Sequence, residues 1–321
     1  MSPTKYSLGF DGGGTKTEAI LLDPSGVVVG QGLGGPSNPL RAGFDVALRS
    51  LNEAAAAALA QAGAKPAHVA AVCAGLAGAG RRNVVRRVLV YLAQAYPDAV
   101  AHVTTDLEVA LEAAAGAGPG VVLVAGTGSA AYGRNAAGEM ARAGGYGPWI
   151  GDAGSAYEIG RKAVEAVARV RDQAAPVTLL SDMIFAALKC TAWDDLTERI
   201  AKNPDDVFPQ LFPVVAAAAE AEDSTAREIL FTAALGLGAL AMIAVRRLRM
   251  QSEEFPLVKC GGVFGHSASF DVPLDSFLSS GAPRAKISRL QVSPAVGAAR
   301  LAARLNATPL ETVVHDVPGK S

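Results

Sequence analysis

The chain of 321 residues is 50% hydrophobic and 18% charged, with a net charge of −1 at pH 7. That length suits two domains of roughly 100–200 residues each. The apolar content excludes a disordered chain, 35 Gly and 18 Pro are too few for a fibrous one, and scattered Lys and Arg exclude a general nucleic-acid binder.

The opening MSPTKYSLGF runs straight into a strand with no long apolar stretch behind a basic start, so no secretory signal is expected. Residues 6–10 read as a buried strand entering Asp11-Gly12-Gly13-Gly14-Thr15-Lys16-Thr17. Residues 18–23 are a second apolar run, Pro24-Ser25-Gly26 is a turn, and a third strand begins at Val27. Ala-rich helical patterns follow at 45–62, closed by Gly63, and at 81–96, stopped by Pro97. The arginines at 81, 82, 86 and 87 have helical spacing and read as a solvated face. Between these helices, residues 69–74 form a strand running into Gly75-Leu76-Ala77-Gly78. A further strand at 101–105 ends in Asp106, and a helix covers 107–115.

Gly116-Ala117-Gly118-Pro119-Gly120 divides the chain into an N-terminal domain (1–117) and a C-terminal one (118–321), each α/β. Beyond the divide the opening pattern returns. Residues 121–124 are a strand, Ala125-Gly126-Thr127-Gly128-Ser129 a second glycine loop, 130–134 a strand, and Asn135-Ala136-Ala137-Gly138 a turn. Two copies of one unit suggest a duplicated fold. Ser155 with Glu158 forms a capping box opening a helix at 155–172. Helices are expected at 178–189, 208–221 and 224–250. A strand at 257–260 precedes a third glycine loop, Gly261-Gly262-Val263-Phe264-Gly265. The final helix opens at Ser293 with Pro294 in its first position and packs back on the N-terminal domain, ending near 305 before a frayed tail from Asn306. Apolar stretches are broken by Glu, Gly or Pro short of a membrane span. Cys73, Cys190 and Cys260 share no close spacing and read as buried free thiols. A soluble, cytoplasmic protein is expected.

Glycine loops let backbone N–H groups crowd around a phosphate. A P-loop or a dinucleotide-binding loop opens a helix, whereas Asp11–Thr17 lies between two strands. Strand–glycine-loop–strand occurring twice, with an acid at a strand end between the copies, is the layout of the actin, hexokinase and heat-shock-chaperone ATPases. A pair of hairpin turns that merely need glycine is the plainer reading of either loop alone.

Six motifs occur in order: Leu8-Gly9-Phe10-Asp11-Gly12-Gly13-Gly14-Thr15-Lys16-Thr17, Ser37-Asn38-Pro39, Ala74-Gly75-Leu76-Ala77-Gly78, Thr105-Asp106, Gly126-Thr127-Gly128-Ser129 and Gly151-Asp152-Ala153-Gly154-Ser155. Together they resemble the BadF/BadG/BcrA/BcrD ATPase family, in its N-acetylglucosamine kinase and glucosamine kinase branch, over residues 6–300. The resemblance implies a two-domain actin-like (ribonuclease H-like) ATPase fold with a nucleotide cleft between the domains. It implies ATP and Mg²⁺ as cofactors and a homodimer, with an amino sugar as substrate and neither nucleic acid nor membrane as partner.

The same resemblance implies that Asp11, Gly12, Gly13, Gly14, Thr15 and Lys16 meet the β- and γ-phosphates, Asp11 holding Mg²⁺ through water. Gly126, Thr127 and Gly128 would form the opposite phosphate loop, and Gly261, Gly262 and Val263 would sit near the adenosine. Ser37, Asn38, Gly78, Thr127, Gly145, Tyr146 and Asp152 would line the sugar pocket, and Asp106 would be the catalytic base on the accepting hydroxyl. A carboxylate at the carboxyl end of a sheet strand is well placed to take that proton, although Asp106 also reads as a helix N-cap. Asn38 likewise reads as a turn residue before Pro39, and Tyr146 as part of a rigid glycine-rich turn. His266 reads as a loop residue. The family commonly carries Glu where this chain has Ala153, which leaves the amino sugar open between N-acetylglucosamine, glucosamine, another hexose and a muramic-type sugar. An activator of CoA dehydratases or reductases would need interface cysteines for an iron–sulfur cluster, and the scattered cysteines argue against it. A sugar-kinase-like repressor would need a helix-turn-helix, for which the five residues before the first strand leave no room.

Overall fold

The computed structural model describes residues 5–307, and the expected frayed tail lies, beyond 307, outside them. The chain divides into two compact units, residues 1–117 with those from Leu290 onward, and Gly118–Arg289.

In the first unit, β1 (Tyr6–Gly12), β2 (Thr17–Leu22), β3 (Val28–Gly34), β4 (Val69–Leu76) and β5 (Val100–Thr104) form one sheet ordered β3-β2-β1-β4-β5. β1 and β3 run antiparallel to β2, while β4 is parallel to both β1 and β5. The carboxyl ends of β1, β4 and β5 therefore share one edge. Alternation along β4 assigns its faces. Val72 and Ala74 join Leu8 and Phe10 beneath helices Phe44–Gln61 and Arg82–Ala95. Ala71 and Cys73 meet the other layer, built from helices Asp106–Ala115 and Pro294–Ala307. Arg82, Arg86 and Arg87 are exposed, and the Arg87 guanidinium lies 3.5 Å from the centre of the Phe44 ring.

Helix Pro294–Ala307 seats on β1 at backbone contact distance. A Cβ on Gly9 would stand 2.0 Å from the Ala299 nitrogen and 2.5 Å from the Ala295 carbonyl oxygen. Small residues make this approach possible. Buried Glu112 on the neighbouring helix receives a two-pronged ion pair from Arg304, at 2.5 and 2.7 Å.

The second unit repeats the first strand for strand. β6 (Gly120–Ala125), β7 (Ser129–Arg134), β8 (Met140–Gly144), β9 (Pro256–Cys260) and β10 (Lys286–Arg289) take the order β10-β9-β6-β7-β8, with the same antiparallel and parallel pairings. The duplication expected from two loops extends to all five strands. Helices Ala156–Arg171, Leu179–Leu188 and Ser224–Arg247 match expectation, the helix expected at 208–221 is broken at Leu211 into Pro204–Gln210 and Phe212–Glu220, and Trp193–Lys202 and Ala268–Gly281 are absent from the sequence reading. So are β8, β10 and the short helix Pro39–Ala42.

Three expectations need correction. The second unit stops at Arg289 instead of 321, because the segment from Leu290 groups with the first. Glu228, Gly236 and Gly238 do not interrupt Ser224–Arg247, a 24-residue helix with a window of mean hydropathy 2.1, long and apolar enough to cross a membrane. Half of that window is buried, and Leu230, Ala234, Leu237 and Ala241 belong to the unit's hydrophobic core. The box at Ser155 is also offset. Ser155 Oγ accepts from the Glu158 N–H at 3.1 Å, but the Glu158 carboxylate takes the Gly154 N–H at 2.6 Å, since the Ser155 N–H already donates to the Asp152 carbonyl.

Gly9→Val tests the helix–strand approach, because the added side chain meets backbone that cannot rotate aside. We expect a loss of about 3 kcal/mol or more in urea-unfolding stability, against less than about 0.5 kcal/mol for a surface change such as Arg86→Ala.

Candidate active site

In the first unit the shared edge gathers three segments. Asp11 ends β1, in register with Glu18 on β2 and Gly75 on β4, and Gly75 pairs with Thr104 at the end of β5. Two strand spacings, roughly 10 Å, therefore separate the backbone at Asp11 from that at the start of helix Asp106–Ala115. Burial first, then the charges of Asp106 and Glu18, push the Asp11 carboxyl from 3.8 up to about 7, against a small opposing pull from Lys16. Glu18 is itself held by Gln31 Nε2 at 2.8 Å and Ser293 Oγ at 2.9 Å.

The loop between β1 and β2 closes with the Gly13 N–H on the Lys16 carbonyl at 3.0 Å, leaving Gly14, Thr15 and Lys16 exposed. The Ser37-Asn38 segment docks on it, both backbone N–H groups donating to the Gly13 carbonyl at 3.0 Å. Only glycine fits at position 12, where a Cβ would stand 2.1 Å from Ser37 Oγ. Ser37 is fully buried and its hydroxyl has no hydrogen-bond partner. Asn38 is more than a turn residue. Its Oδ1 caps helix Pro39–Ala42 by accepting the Leu40 N–H at 3.0 Å, which leaves the amide Nδ2 as its donor end, and Gly78 packs against that same Oδ1. The sequence reading missed Arg41, whose guanidinium lies against Gly14. A cation three residues after Asn38, once the segment was docked on the loop, was the available signal.

Asp106 does not cap its helix. Thr105 is the N-cap, its Oγ1 accepting the Glu108 N–H at 3.2 Å, and Asp106 is the first helical residue. The carboxylate is thus partly exposed beside Asp11 at the amino end of a helix, where the dipole favours negative charge.

In the second unit the equivalent edge carries the other two glycine loops. The Gly126 N–H donates to the Gly128 carbonyl at 2.9 Å, and the Gly126 carbonyl accepts the Ala156 N–H at 2.9 Å, so the loop abuts the amino end of helix Ala156–Arg171. Asp152 is buried against Gly128. It accepts backbone N–H groups of Gly147 and Ser129, yet burial dominates and pushes its carboxyl up to about 6. Its Oδ1 is buried without a hydrogen-bond partner. Gly261, at φ +122°, lets the third loop touch the second, since a Cβ there would meet the Ala125 carbonyl oxygen at 2.2 Å. Gly261 and Gly262 are exposed, but Val263 is not a contact surface. Its side chain is in the core and its N–H is spent on the Ala125 carbonyl at 3.2 Å. The His266 ring stands edge-on to Phe212 at 5.7 Å.

Gly145 and Tyr146 lie in the loop after β8. Arg142 clamps the Gly144 and Gly145 carbonyls, and Tyr146 and Trp149 are 64% and 83% exposed, so these aromatics serve no core. Behind the loop a cavity of about 280 Å³ is lined by residues including Arg142, Tyr146, Ala153, Leu240 and Arg247.

The BadF/BadG/BcrA/BcrD ATPase family model matches residues 8–302. An N-acetylmuramic acid/N-acetylglucosamine kinase of Clostridium acetobutylicum is 31% identical over 93% of this chain and 98% of the relative. The N-acetyl-D-glucosamine kinase of Dictyostelium discoideum is 30% identical over 92% and 97%. Among solved structures, a candidate N-acetylglucosamine kinase from Chromobacterium violaceum superimposes with a TM-score of 0.74 at 25% identity, over 93% of this chain and 99% of that one. With two glycine-looped sheets of identical topology and a family match over nearly its whole length, the chain belongs to the BadF/BadG/BcrA/BcrD ATPase family.

Proposed function

We propose that the chain is an ATP-dependent sugar kinase that transfers the γ-phosphoryl group to O6 of N-acetylglucosamine or glucosamine. The observation that carries this reading is a pair of buried, unsatisfied polar atoms, Ser37 Oγ and Asp152 Oδ1. Each belongs to a motif that resembles the sugar-binding motifs of the family, and each is packed on a glycine of a phosphate-type loop, Gly12 and Gly128 respectively. Leaving such an atom unpaired costs about 1–3 kcal/mol. Sugar hydroxyl and amide groups are the partners that would remove that cost.

In this reading the loops at Gly12–Thr15 and Gly126–Gly128 are each phosphate contacts, with Lys16 and Arg41 as cations beside the first. The Asp106 carboxylate accepts the proton of the sugar hydroxyl, whose oxygen bonds to the γ-phosphorus as the bond to the bridging oxygen of ADP breaks. The Asp11 carboxyl suits the water shell of a hard divalent cation, since the charges of Asp106 and Glu18 also act on it, while among the described residues no group of three His, Cys, Asp or Glu side chains is placed to hold a metal directly. Bound there through water, Mg²⁺ would neutralise charge developing on the phosphates. Cys73, fully buried with its thiol pushed well above the usual range by that burial, is unsuited to holding an iron–sulfur cluster.

A second reading, an acidic muramic-type sugar, is favoured by one feature. The cavity beside Ala153 is lined by two arginines, Arg142 and Arg247, whose guanidinium groups also donate to backbone carbonyls, and the Clostridium relative is named for such a sugar. ADP release measured across glucose, glucosamine, N-acetylglucosamine and N-acetylmuramic acid separates the readings. We expect kcat/KM for the best amino sugar to exceed that for glucose by at least about tenfold, and equal values would refute the assignment. A cytoplasmic homodimer completes the proposal, testable by light scattering of the purified protein.

Asp106→Asn should lower kcat by on the order of 10²–10⁴ while leaving melting temperature and ATP-analogue affinity near wild type. Because Thr105 holds the cap, a purely structural Asp106 predicts almost no change in kcat. Retention of more than about a tenth of kcat means another residue is the base.

Asp11 makes a pH prediction for the protein without nucleotide or metal. Its folded pKa of about 7 lies above its ordinary 3.8, so between those values the folded state holds a proton that the unfolded state has released. Stability from this group is complete below pH 3.8 and declines as pH rises toward 7. Thermal melts of wild type and Asp11→Asn should therefore coincide near pH 4 and diverge up to pH 8, the variant melting higher. A pH-independent difference contradicts the shift.

A further inference from the structure

Lys259 lies in β9, two residues before Gly261, with only 6% of its side chain exposed. A buried ammonium persists where it is paired. Its Nζ donates to both carboxylate oxygens of Asp275, at 2.7 and 2.9 Å, and stands 3.9 Å from Asp271 Oδ1. The second oxygen of Asp271 accepts the Gly265 N–H at 2.7 Å, at the far end of the third glycine loop. The loop is therefore fastened twice, through the Val263 N–H to the Ala125 carbonyl and through Gly265 to Asp271, whose other oxygen is buried without a hydrogen-bond partner, 3.9 Å from the Lys259 ammonium. Just ahead of these anchors Gly261 and Gly262 are exposed, and a Cβ on Gly262 would touch nothing within 4 Å.

Buried ion pairs add little stability compared with apolar residues of the same volume. Fixing an exposed glycine segment is a use that apolar packing does not supply, because glycine offers no side chain to pack. We propose that Lys259 and Asp271 are positioning residues that set the Gly261-Gly262 backbone against the adenosine end of ATP. This rests on the reading of the third glycine loop as a nucleotide contact. Neither residue touches the nucleotide in this account. Both act through the Gly265 N–H.

The full-length chain carrying Asp271→Leu, Asp271→Asn or Lys259→Met separates positioning from plain stability. Titration calorimetry with a non-hydrolysable ATP analogue is paired with kcat at saturating ATP. Asp271→Leu removes a charge-assisted hydrogen bond and should weaken the analogue about tenfold or more, with kcat at saturation held within about threefold. Asp271→Asn keeps an acceptor oxygen and should recover most of the affinity. Lys259→Met should resemble Asp271→Leu, and if it fails to give a cooperative melt the two Asp271 variants decide alone. Unchanged analogue affinity in folded Asp271→Leu overturns the proposal, as does a parallel loss of affinity and kcat. Absence of any analogue binding by wild type overturns the nucleotide reading itself, and this inference with it.

Discussion

Each sheet sets an antiparallel hairpin beside parallel strands, and that mixed pairing governs everything placed on its edge. Because β1, β4 and β5 run the same way, the loops leaving them emerge together, and β6 and β9 do likewise in the second unit. The hairpin partner then turns back at once, so the loop after β1 or β6 must reverse within a few residues. A loop that short, free of bulky side chains, presents backbone N–H groups and little else. Parallel pairing brings the acids to the edge, and the hairpin supplies a short loop of glycine backbone beside them.

The two shifted carboxyls show how one edge yields groups of different character. Asp11 is raised by burial and by like charges on adjacent strands, a condition that a cation relieves. Asp152 is raised chiefly by burial and slightly by the Glu158 charge, against hydrogen bonds and the Arg142 charge that pull the other way. The environment, not the residue type, sets how far each aspartate is raised and by what cause.

Much of this was legible in the chain. Asp11–Thr17 and Gly126–Ser129 stood out because the same strand, glycine loop and strand pattern occurs twice, and the segments 69–74 and 101–105 could be read as strands directly. What escaped was marked weakly. β10 is four residues long and largely exposed, so it has no apolar pattern. Helix Ala268–Gly281 carries Pro273 in its interior, past the first turn, where proline reads as a breaker. Thr105 and Asp106 are both good caps by composition, and only the backbone reveals that the threonine takes the position. The core place of Val263 was invisible because it depends on Ala125, 138 positions away in sequence, closing on its N–H.

Helix Pro294–Ala307 carries a consequence for how the molecule is made. Residues 118–289 form a continuous stretch with a core of their own. The first unit is interrupted, its sheet face at Gly9, Ile20 and Leu22 being covered by Ala295, Val296 and Ala299. During synthesis, therefore, the earlier half emerges first and waits, one apolar face open to water, while about 170 residues of its neighbour are translated. At roughly 5–20 residues per second this delay is on the order of ten seconds or more. Over that interval the nascent chain exposes the surface that holdase chaperones bind.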